Sequence, residues 1–468
     1  MWSFFGRKAL YMTNYLNNRT FSIHTLGCKV NACESEAIRE MLIGCGCTAK
    51  PFGEAVDITI INTCTVTNIA DRKSRQMIHK AKAQSPGGIV LATGCYVQER
   101  ACEHTEDDSV DVLVGNRRKG EIPTILNEVY ERRSQGEVGP FLYVEDDSRL
   151  TAYEELPMTH ESEHTRAFLK VQDGCNQFCS YCVIPFARGR ISSRKLEDVV
   201  AETKALAETG ICEVVLNGIH LSSYGLETRS VAEQASLQMK EGEMPLLSLI
   251  RVVASVEGIT RVRLGSLEPR IMSEEFVKSL SEIPKLCPQF HLSLQSGCDE
   301  TLKAMNRKYT TDEYREVVKR LREHFSDPAI TTDIIVGFPG ETEEQFETSV
   351  SFVREIGFAQ VHVFPYSRRK GTVADRMDGQ HTEAEKKRRA GIMIAASAQT
   401  MREYRERHIG ALAEVLFEEP AKIDGVDCYV GFSREYVPYA ILSDQDMSGR
   451  EMTVKGCRIL SNGTMLSQ

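Results

Sequence analysis

Short β-branched runs that alternate with helical segments constrain this chain more than any other feature, because such alternation marks parallel sheets joined by crossover helices. Between residues 21 and 133 the runs 21–26, 56–62, 89–93 and 110–114 read as strands, and 34–43, 71–83 and 121–133 read as helices. The run Ile58-Thr59-Ile60-Ile61 suits a strand buried on both faces, so this first set predicts an open α/β domain. A second set begins at Arg166, with strand candidates 167–172, 213–216, 261–264, 290–294, 331–336 and 359–364. Helix candidates 196–208, 246–256, 274–280, 311–324 and 343–355 separate them, with an extra turn at 299–307. Six strands linked in this way make a partial (β/α)6 barrel the economical architecture, its working face being the loops that follow the strands. From about Gly410 the pattern shortens to strands at 414–418, 427–432, 436–441 and 451–459, which predicts a small antiparallel β module. The polar stretch 136–163 reads as a linker, and 226–244 as a polar insertion without chemistry. The expected organisation is therefore α/β: an extension at 1–20, an open domain at 21–135, a barrel at 164–400 and a β module at 401–468.

At 468 residues the chain exceeds what one hydrophobic core supports. No apolar run approaches the ~20 residues needed to span a bilayer, which argues against a membrane role. Residues 1–20 lack a continuous apolar stretch and a small-residue cleavage site, so they read as an extension rather than a signal peptide. Fifteen cysteines without a secretion signal argue against a disulfide framework and for a reducing, cytoplasmic compartment. A formal charge of -9 argues against indiscriminate polyanion binding, but local basic runs exist. Residues 69–82 carry Arg72, Lys73, Arg75, Lys80 and Lys82 against Asp71 alone. Others are Arg117-Arg118-Lys119, Arg188/Arg190/Arg194/Lys195, Arg368-Arg369-Lys370 and Lys386-Lys387-Arg388-Arg389. Each alone is an ordinary solvated face; together they suit a polyanionic partner.

Cys175, Cys179 and Cys182 follow the first barrel strand in Asp-Gly-Cys-Asn-Gln-Phe-Cys-Ser-Tyr-Cys. Three thiolates at Cys-x3-Cys-x2-Cys bind three corners of a 4Fe–4S cubane, and with no fourth cysteine at ligand spacing one iron stays open for a small molecule. Structural zinc is the competing reading, but it needs a second Cys-x2-Cys hook or histidines, and His160 and His164 precede the motif in an acidic loop. Cys28, Cys64 and Cys95 share another placement, each closely following a strand of the first domain. Carboxyl ends of parallel strands face one crevice, so these three thiols are expected to converge on a second metal centre; the alternative is that they are small buried residues. Packing is the expectation for the remaining nine, Cys33, Cys45, Cys47, Cys102, Cys212, Cys287, Cys298, Cys428 and Cys457. The other barrel loops carry Asn217-Gly218-Ile219-His220, Gly265-Ser266-Leu267-Glu268-Pro269, Gln295-Ser296-Gly297, Gly337-Phe338-Pro339-Gly340-Glu341 and Pro365-Tyr366-Ser367-Arg368-Arg369. Glycines there allow a ligand close to the backbone, while neighbouring polar groups orient it.

The run Cys175 to Cys182, with Ile184-Pro185 and Arg188-Gly189, resembles the radical S-adenosylmethionine signature of the methylthiotransferases. The three-domain order, ending in a TRAM-type β module, is similar to that family as well. Gly27-Cys28-Lys29-Val30-Asn31, Asn62-Thr63-Cys64-Thr65-Val66-Thr67 and Leu292-Ser293-Leu294-Gln295-Ser296-Gly297-Cys298-Asp299 resemble its threonylcarbamoyladenosine branch, which methylthiolates C2 of that nucleoside beside the tRNA anticodon. The resemblance implies two 4Fe–4S clusters. Cys175, Cys179 and Cys182 would hold the one whose free iron is chelated by S-adenosylmethionine, the source of a 5'-deoxyadenosyl radical. Cys28, Cys64 and Cys95 would hold the one that carries the sulfur. It implies no catalytic residue beyond these ligands, places Tyr181 along the cofactor's adenine, and leaves Gly218, Ser266, Glu268, Gln295 and Gly337 as the cofactor-binding candidates. It also implies tRNA, an unidentified electron donor and an unidentified sulfur source as partners. The same chemistry on isopentenyladenosine or on a ribosomal-protein aspartate is the alternative, and a non-enzymatic iron–sulfur carrier or RNA-binding protein is another. Residues 1–20 and 226–244 fall outside the family pattern, and 402–468 hold 8 basic against 11 acidic residues, so that module is not a basic RNA clamp. That leaves the 69–82 helix and the Arg368-Arg369-Lys370 loop as the expected RNA contacts.

Overall fold

The computed structural model describes residues 14–100, 108–146, 152–156, 165–230, 233–234, 237 and 244–468. Cys102, His160, His164 and parts of the expected extension, linker and insertion lie outside the described residues. The chain divides into two compact units, Met1–Thr159 with Ile184–Gly189, and His160–Val183 with Arg190–Gln468.

The first unit is a six-stranded parallel sheet built from β1 (Thr20–Thr25), β2 (Thr48–Ala49), β3 (Ile58–Thr63), β4 (Ile89–Gly94), β5 (Val112–Val114) and β6 (Phe141–Tyr143), in the order β2-β1-β3-β4-β5-β6. Every residue of β3 and β4 is buried, as their apolar runs require. Helices α1 (Lys29–Gly44), α2 (Asn68–Gln84), α3 (Cys95–Arg100) and α4 (Ile122–Ser134) connect the strands. β6 lies inside the stretch read as a linker: Phe141 is buried in the core and β6 pairs with β5. A three-residue edge strand in a polar context leaves almost no periodic signal.

In the second unit β7 (Arg166–Asp173), β9 (Glu213–Gly218) and β10 (Arg261–Leu264) pair in parallel, with β8 (Ser192–Ser193) antiparallel to β7. β11 (Gln289–His291), β12 (Ala329–Val336) and β13 (Gln360–Pro365) form a second parallel sheet. The bridges Val262↔Leu286 and Leu267↔Leu292 join the two sheets into the expected six-stranded partial barrel. Helices α6 (Leu196–Glu208), α7 (Pro245–Ser255), α8 (Glu274–Ser281), α10 (Thr311–His324) and α11 (Glu343–Ile356) cover it; the short α5 (Ile184–Ala187) belongs to the first unit and α9 (Asp299–Ala304) is the extra turn. Thr310 and Thr342 close capping boxes at the starts of α10 and α11.

The 24-residue α12 (Glu383–Glu406) escaped the sequence reading, and it leads into the β module. That module is a closed five-stranded barrel of β14 (Leu412–Ile423), β15 (Val426–Ser433), β16 (Pro438–Ile441), β17 (Glu451–Ile459) and β18 (Met465–Ser467). It is not wholly antiparallel, because β16 and β18 pair in parallel to close it. Buried arginines fasten it to the barrel strands: Arg261 reaches Glu451 at 2.7 Å and the Glu414 carbonyl at 2.9 Å, and Arg263 reaches the Arg434 carbonyl at 2.9 Å.

Candidate active site

β1, β3 and β4 are neighbours, and the strand order reverses direction at the β1/β3 pair, the place where such sheets hold ligands. Cys28 caps α1 just after β1, Cys64 directly follows β3, and Cys95 opens α3 directly after β4. Two glycines make this possible. Gly27 has φ +101°, and a Cβ there would lie 2.8 Å from the Cys64 sulfur; Gly94 has φ +100°, and a Cβ there would lie 2.4 Å from the Thr63 carbonyl oxygen. Asn31 braces the loops, its Nδ2 donating to the carbonyls of Leu26 at 2.7 Å and Thr63 at 2.9 Å. Cys64 and Cys95 are buried while Cys28 is exposed, so the group opens to solvent on one side. Burial pushes the Cys64 thiol up to about 11, the neighbouring Cys95 and Cys28 adding to it.

Arg188 was expected in a solvent-facing basic patch. It is instead 1% exposed: its Nε donates to the Cys95 sulfur at 3.2 Å and its guanidinium to Asn31 at 2.7 Å and Glu34 at 2.8 Å. Lys119, from another expected patch, is fully buried and pairs with Glu34 at 3.0 Å.

In the second unit Cys175, Cys179 and Cys182 sit on the loop after β7. Phe178, at φ +48°, turns the loop, and Asn306 donates to its carbonyl at 2.9 Å. Ser180 is held by the Met305 carbonyl at 3.0 Å, and Arg307 donates to the Cys179 sulfur at 3.2 Å. Burial and the two neighbouring thiols push the Cys175 thiol far above its ordinary value. Among the described residues the ligating atoms of His291, Asp333 and His362 lie within 4.8 Å of one another, whereas neither cysteine trio is drawn together that tightly. A single zinc at ~2.3 Å from each sulfur would bring sulfurs to roughly 4 Å of each other. Each trio offers soft thiolate donors of the kind that bind cubane corners, and each has a guanidinium against one sulfur, Arg188 on Cys95 and Arg307 on Cys179.

Tyr181 packs edge-on to Phe338 at 6.5 Å, and Phe338 to Tyr366 at 5.5 Å, which joins the cysteine loop to the loops after β12 and β13. Glu268 is 3% exposed; burial works to raise its pKa, but His220 at 2.9 Å, Arg307 and Arg270 outweigh it and hold the carboxyl at about 2. Gln295 adopts φ +72° and pairs with β12 through Ile334. Gly218 leaves no room for a side chain beside Gln172, and the space beside Gly337 is taken by Lys386 of α12, so Gly337 offers backbone rather than an open pocket. Ser266 is exposed at the end of β10. The network that links His220, Glu268, Arg270 and Gln177, and the Arg307–Cys179 contact, was missed, because no spacing rule connects loops so far apart in sequence.

Most of the expected basic patches do not survive as free surfaces. Arg369 is 2% exposed, so it is not an RNA contact, and its neighbour Arg368 pairs with Asp375 at 2.6 Å. Lys386 and Arg389 are buried and paired with Glu383 and Glu341. Arg194 pairs with Glu202, and Arg118 with Glu121. The outward face of α2, with Arg72, Lys73, Arg75 and Lys80, remains exposed. Arg75 lies over Tyr96 at 5.9 Å.

Residues 169–353 match the model of the Radical SAM superfamily, and residues 20–115 that of Uncharacterized protein family UPF0004. The chain is 37% identical to the Threonylcarbamoyladenosine tRNA methylthiotransferase MtaB of Bacillus subtilis, over 93% of each protein. The chain belongs to the radical S-adenosylmethionine family of tRNA methylthiotransferases. A second branch of this methylthiotransferase family is close too: the tRNA-2-methylthio-N(6)-dimethylallyladenosine synthase of Clostridium novyi is 34% identical over 88% of each chain. Among solved structures, the radical S-adenosylmethionine methyltransferase TsrM from Kitasatospora setae superposes with a TM-score of 0.54 at 16% identity, covering 76% of this chain and 77% of that one, which shows a shared fold. The methylthiotransferase is thus a radical enzyme acting on tRNA, with S-adenosylmethionine and 4Fe–4S clusters as its cofactors. Among the described residues no helix is long and apolar enough to cross a membrane.

Proposed function

We propose that this methylthiotransferase acts on threonylcarbamoyladenosine, with Cys175, Cys179 and Cys182 holding the cluster that binds S-adenosylmethionine and Cys28, Cys64 and Cys95 holding the cluster that supplies sulfur. The observation that carries this reading is the convergence of Cys28, Cys64 and Cys95 on adjacent strand ends, in a chain whose other triplet opens the barrel. When bound, these groups supply radical chemistry at carbon and the inserted sulfur.

The protein's own share is binding and orientation. In this reading Tyr181, Gly218, Glu268, Gln295 and the Gly337 backbone, all at the ends of barrel strands or on the loops that follow them, would serve an aminoacyl cofactor, which needs a fixed carboxylate, backbone donors and an apolar wall. Ser266 stands solvent-exposed at the same edge. Glu268, held ionised, suits a cationic group of that cofactor.

The substrate's tail is polar and anionic, unlike a dimethylallyl group. Phe290, Leu292, Ile330, Ile334 and Val361 pack in the core beneath the helices, so the alternating His291, Asp333 and His362 face the lumen. Donors and an acceptor there suit a threonylcarbamoyl tail, to which a hydrocarbon offers no comparable hydrogen bond. α2 supplies a surface for tRNA phosphates. The reading also requires a one-electron donor, a sulfur source and a reducing compartment such as the cytoplasm. Mass spectrometry of tRNA nucleosides from cells lacking the gene tests it. The methylthio form of threonylcarbamoyladenosine disappears while the unmodified form accumulates; its persistence removes the substrate claim.

A further inference from the structure

Strands β11, β12 and β13 bring three metal-ligating side chains to one face of their sheet. Thr331 is the direct partner of His291, so His291 stands diagonally across from Asp333, and Asp333 stands directly opposite His362. The ligating atoms of all three lie within 4.8 Å of one another. The finer spacings suit one small ion. Nitrogen and oxygen ligands held at about 2.1 Å from a metal sit roughly 3.0–3.4 Å apart, along the edges of an octahedron or a tetrahedron. His291 Nε2 is 3.2 Å from Asp333 Oδ2. The two imidazole rings have centroids 5.9 Å apart and are tilted by 40°, so they converge rather than stack. His291 is also held as metal-bound histidines are: its Nδ1 meets the Thr331 hydroxyl at 3.0 Å, and Gln289 donates to that hydroxyl at 3.3 Å, which turns Nε2 toward Asp333. An ion pair between His291 and Asp333 would account for two of these groups, but not for a second imidazole opposite the same carboxylate. His291 and Asp333 are half-buried and His362 is exposed, so a further ligand can reach the shared point.

We propose that His291, Asp333 and His362 hold a divalent transition-metal ion whose open positions take the carboxylate of the threonylcarbamoyl tail. Two imidazoles and one carboxylate form a ligand set that zinc, manganese and iron accept, and it leaves coordination positions for others. Nitrogen and oxygen donors also set this site apart from the two thiolate trios, which suit iron–sulfur clusters. The ion's role is recognition, and no electron passes through it. A dimethylallyl group has no atom that can ligate the ion, so the site would favour one nucleoside over the other. The substrate half of this proposal rests on the reading above, whereas the ion site rests on the geometry of the three side chains.

The test uses tag-free, full-length protein with its clusters reconstituted and oxidised, and manganese(II) as the probe, read by electron paramagnetic resonance. One manganese should bind per chain, with the spin-echo modulation of coordinated histidine nitrogen. Asp333→Asn and His362→Gln should each weaken that binding by roughly tenfold or more at unchanged iron content, at least the cost of losing an outer-shell partner. Should Asp333→Asn fail to fold, His362→Gln decides alone, because that side chain is exposed. An anticodon stem-loop bearing threonylcarbamoyladenosine, its threonyl carboxylate labelled with carbon-13, should then couple that carbon to the bound manganese. The coupling should vanish in His362→Gln, which separates it from manganese bound to the RNA alone. No bound manganese, binding without nitrogen modulation, or binding that survives His362→Gln overturns the site. Nitrogen-bound manganese without the carbon coupling overturns its role toward the substrate, and the substrate reading still stands if the same enzyme methylthiolates that stem-loop. Activity on the dimethylallyl nucleoside alone refutes the substrate reading instead.

Discussion

Gly27 gives the most quantitative check on the architecture of the first thiol trio. Its φ of +101° is one that L residues avoid, at a cost of roughly 1–2 kcal/mol. A Cβ at this position would also lie 2.7 Å from the Cys64 Cβ and 2.8 Å from its sulfur, contacts that real side chains do not tolerate. Overpacking of this kind costs about 1–3 kcal/mol, so Gly27→Ala should lose roughly 2–5 kcal/mol in denaturant unfolding, a large part of a typical domain's stability. Because the strain falls on Cys64 itself, iron bound per chain should fall with it. Gly44 is the control: it ends α1, its φ is unremarkable, and nothing lies within 4 Å of a Cβ there. Gly44→Ala should be neutral or stabilising by up to about 1 kcal/mol. If Gly27→Ala kept full iron and unfolded within about 0.5 kcal/mol of the parent, the close approach of Gly27 to Cys64 would be refuted.

Other consequences are as direct. His362→Leu alters an exposed lumen residue, so the fold should persist while KM for threonylcarbamoyl-tRNA rises; unchanged KM would exclude His362 from substrate recognition. Substituting Arg72, Lys73, Arg75 and Lys80 by alanine should weaken tRNA binding and reduce the slope of log affinity against log salt by roughly 0.7–0.9 per lost phosphate contact; an unchanged slope would remove α2 from the interface. Glu268 is held at about 2, below its ordinary 4.5, so its contribution to stability is complete above that ordinary value and is lost as pH falls toward 2. Glu268→Gln should therefore lie up to about 3 kcal/mol below the parent near neutrality and converge on it at the acid end, and parallel pH profiles would contradict the assignment.

The parts of this molecule that could be read from sequence are those written in local pattern. The β-branched runs located β1, β3, β4 and the barrel strands, and Cys28, Cys64 and Cys95 were found because each stands directly after one of them. What escaped was set by distant partners. Arg188, Lys119, Arg369, Lys386 and Arg389 look like solvent-facing charge in a one-dimensional reading, yet each is buried. Arg389 meets Glu341 from 48 residues away, and Arg188 meets Glu34 from 154 residues away, distances at which no spacing rule operates. β6 was lost to its brevity, and the parallel β16–β18 pair to the fact that barrel closure leaves no mark on either strand alone.

The central claim is that two separate cysteine trios each hold a cluster in one chain. Iron and acid-labile sulfide measured on anaerobically reconstituted protein test it most directly, with about eight irons expected per chain from two four-iron clusters. Replacing Cys28, Cys64 and Cys95 by alanine should leave about four irons, and so should replacing Cys175, Cys179 and Cys182. Either triple variant that retained all of the parent's iron would contradict the account.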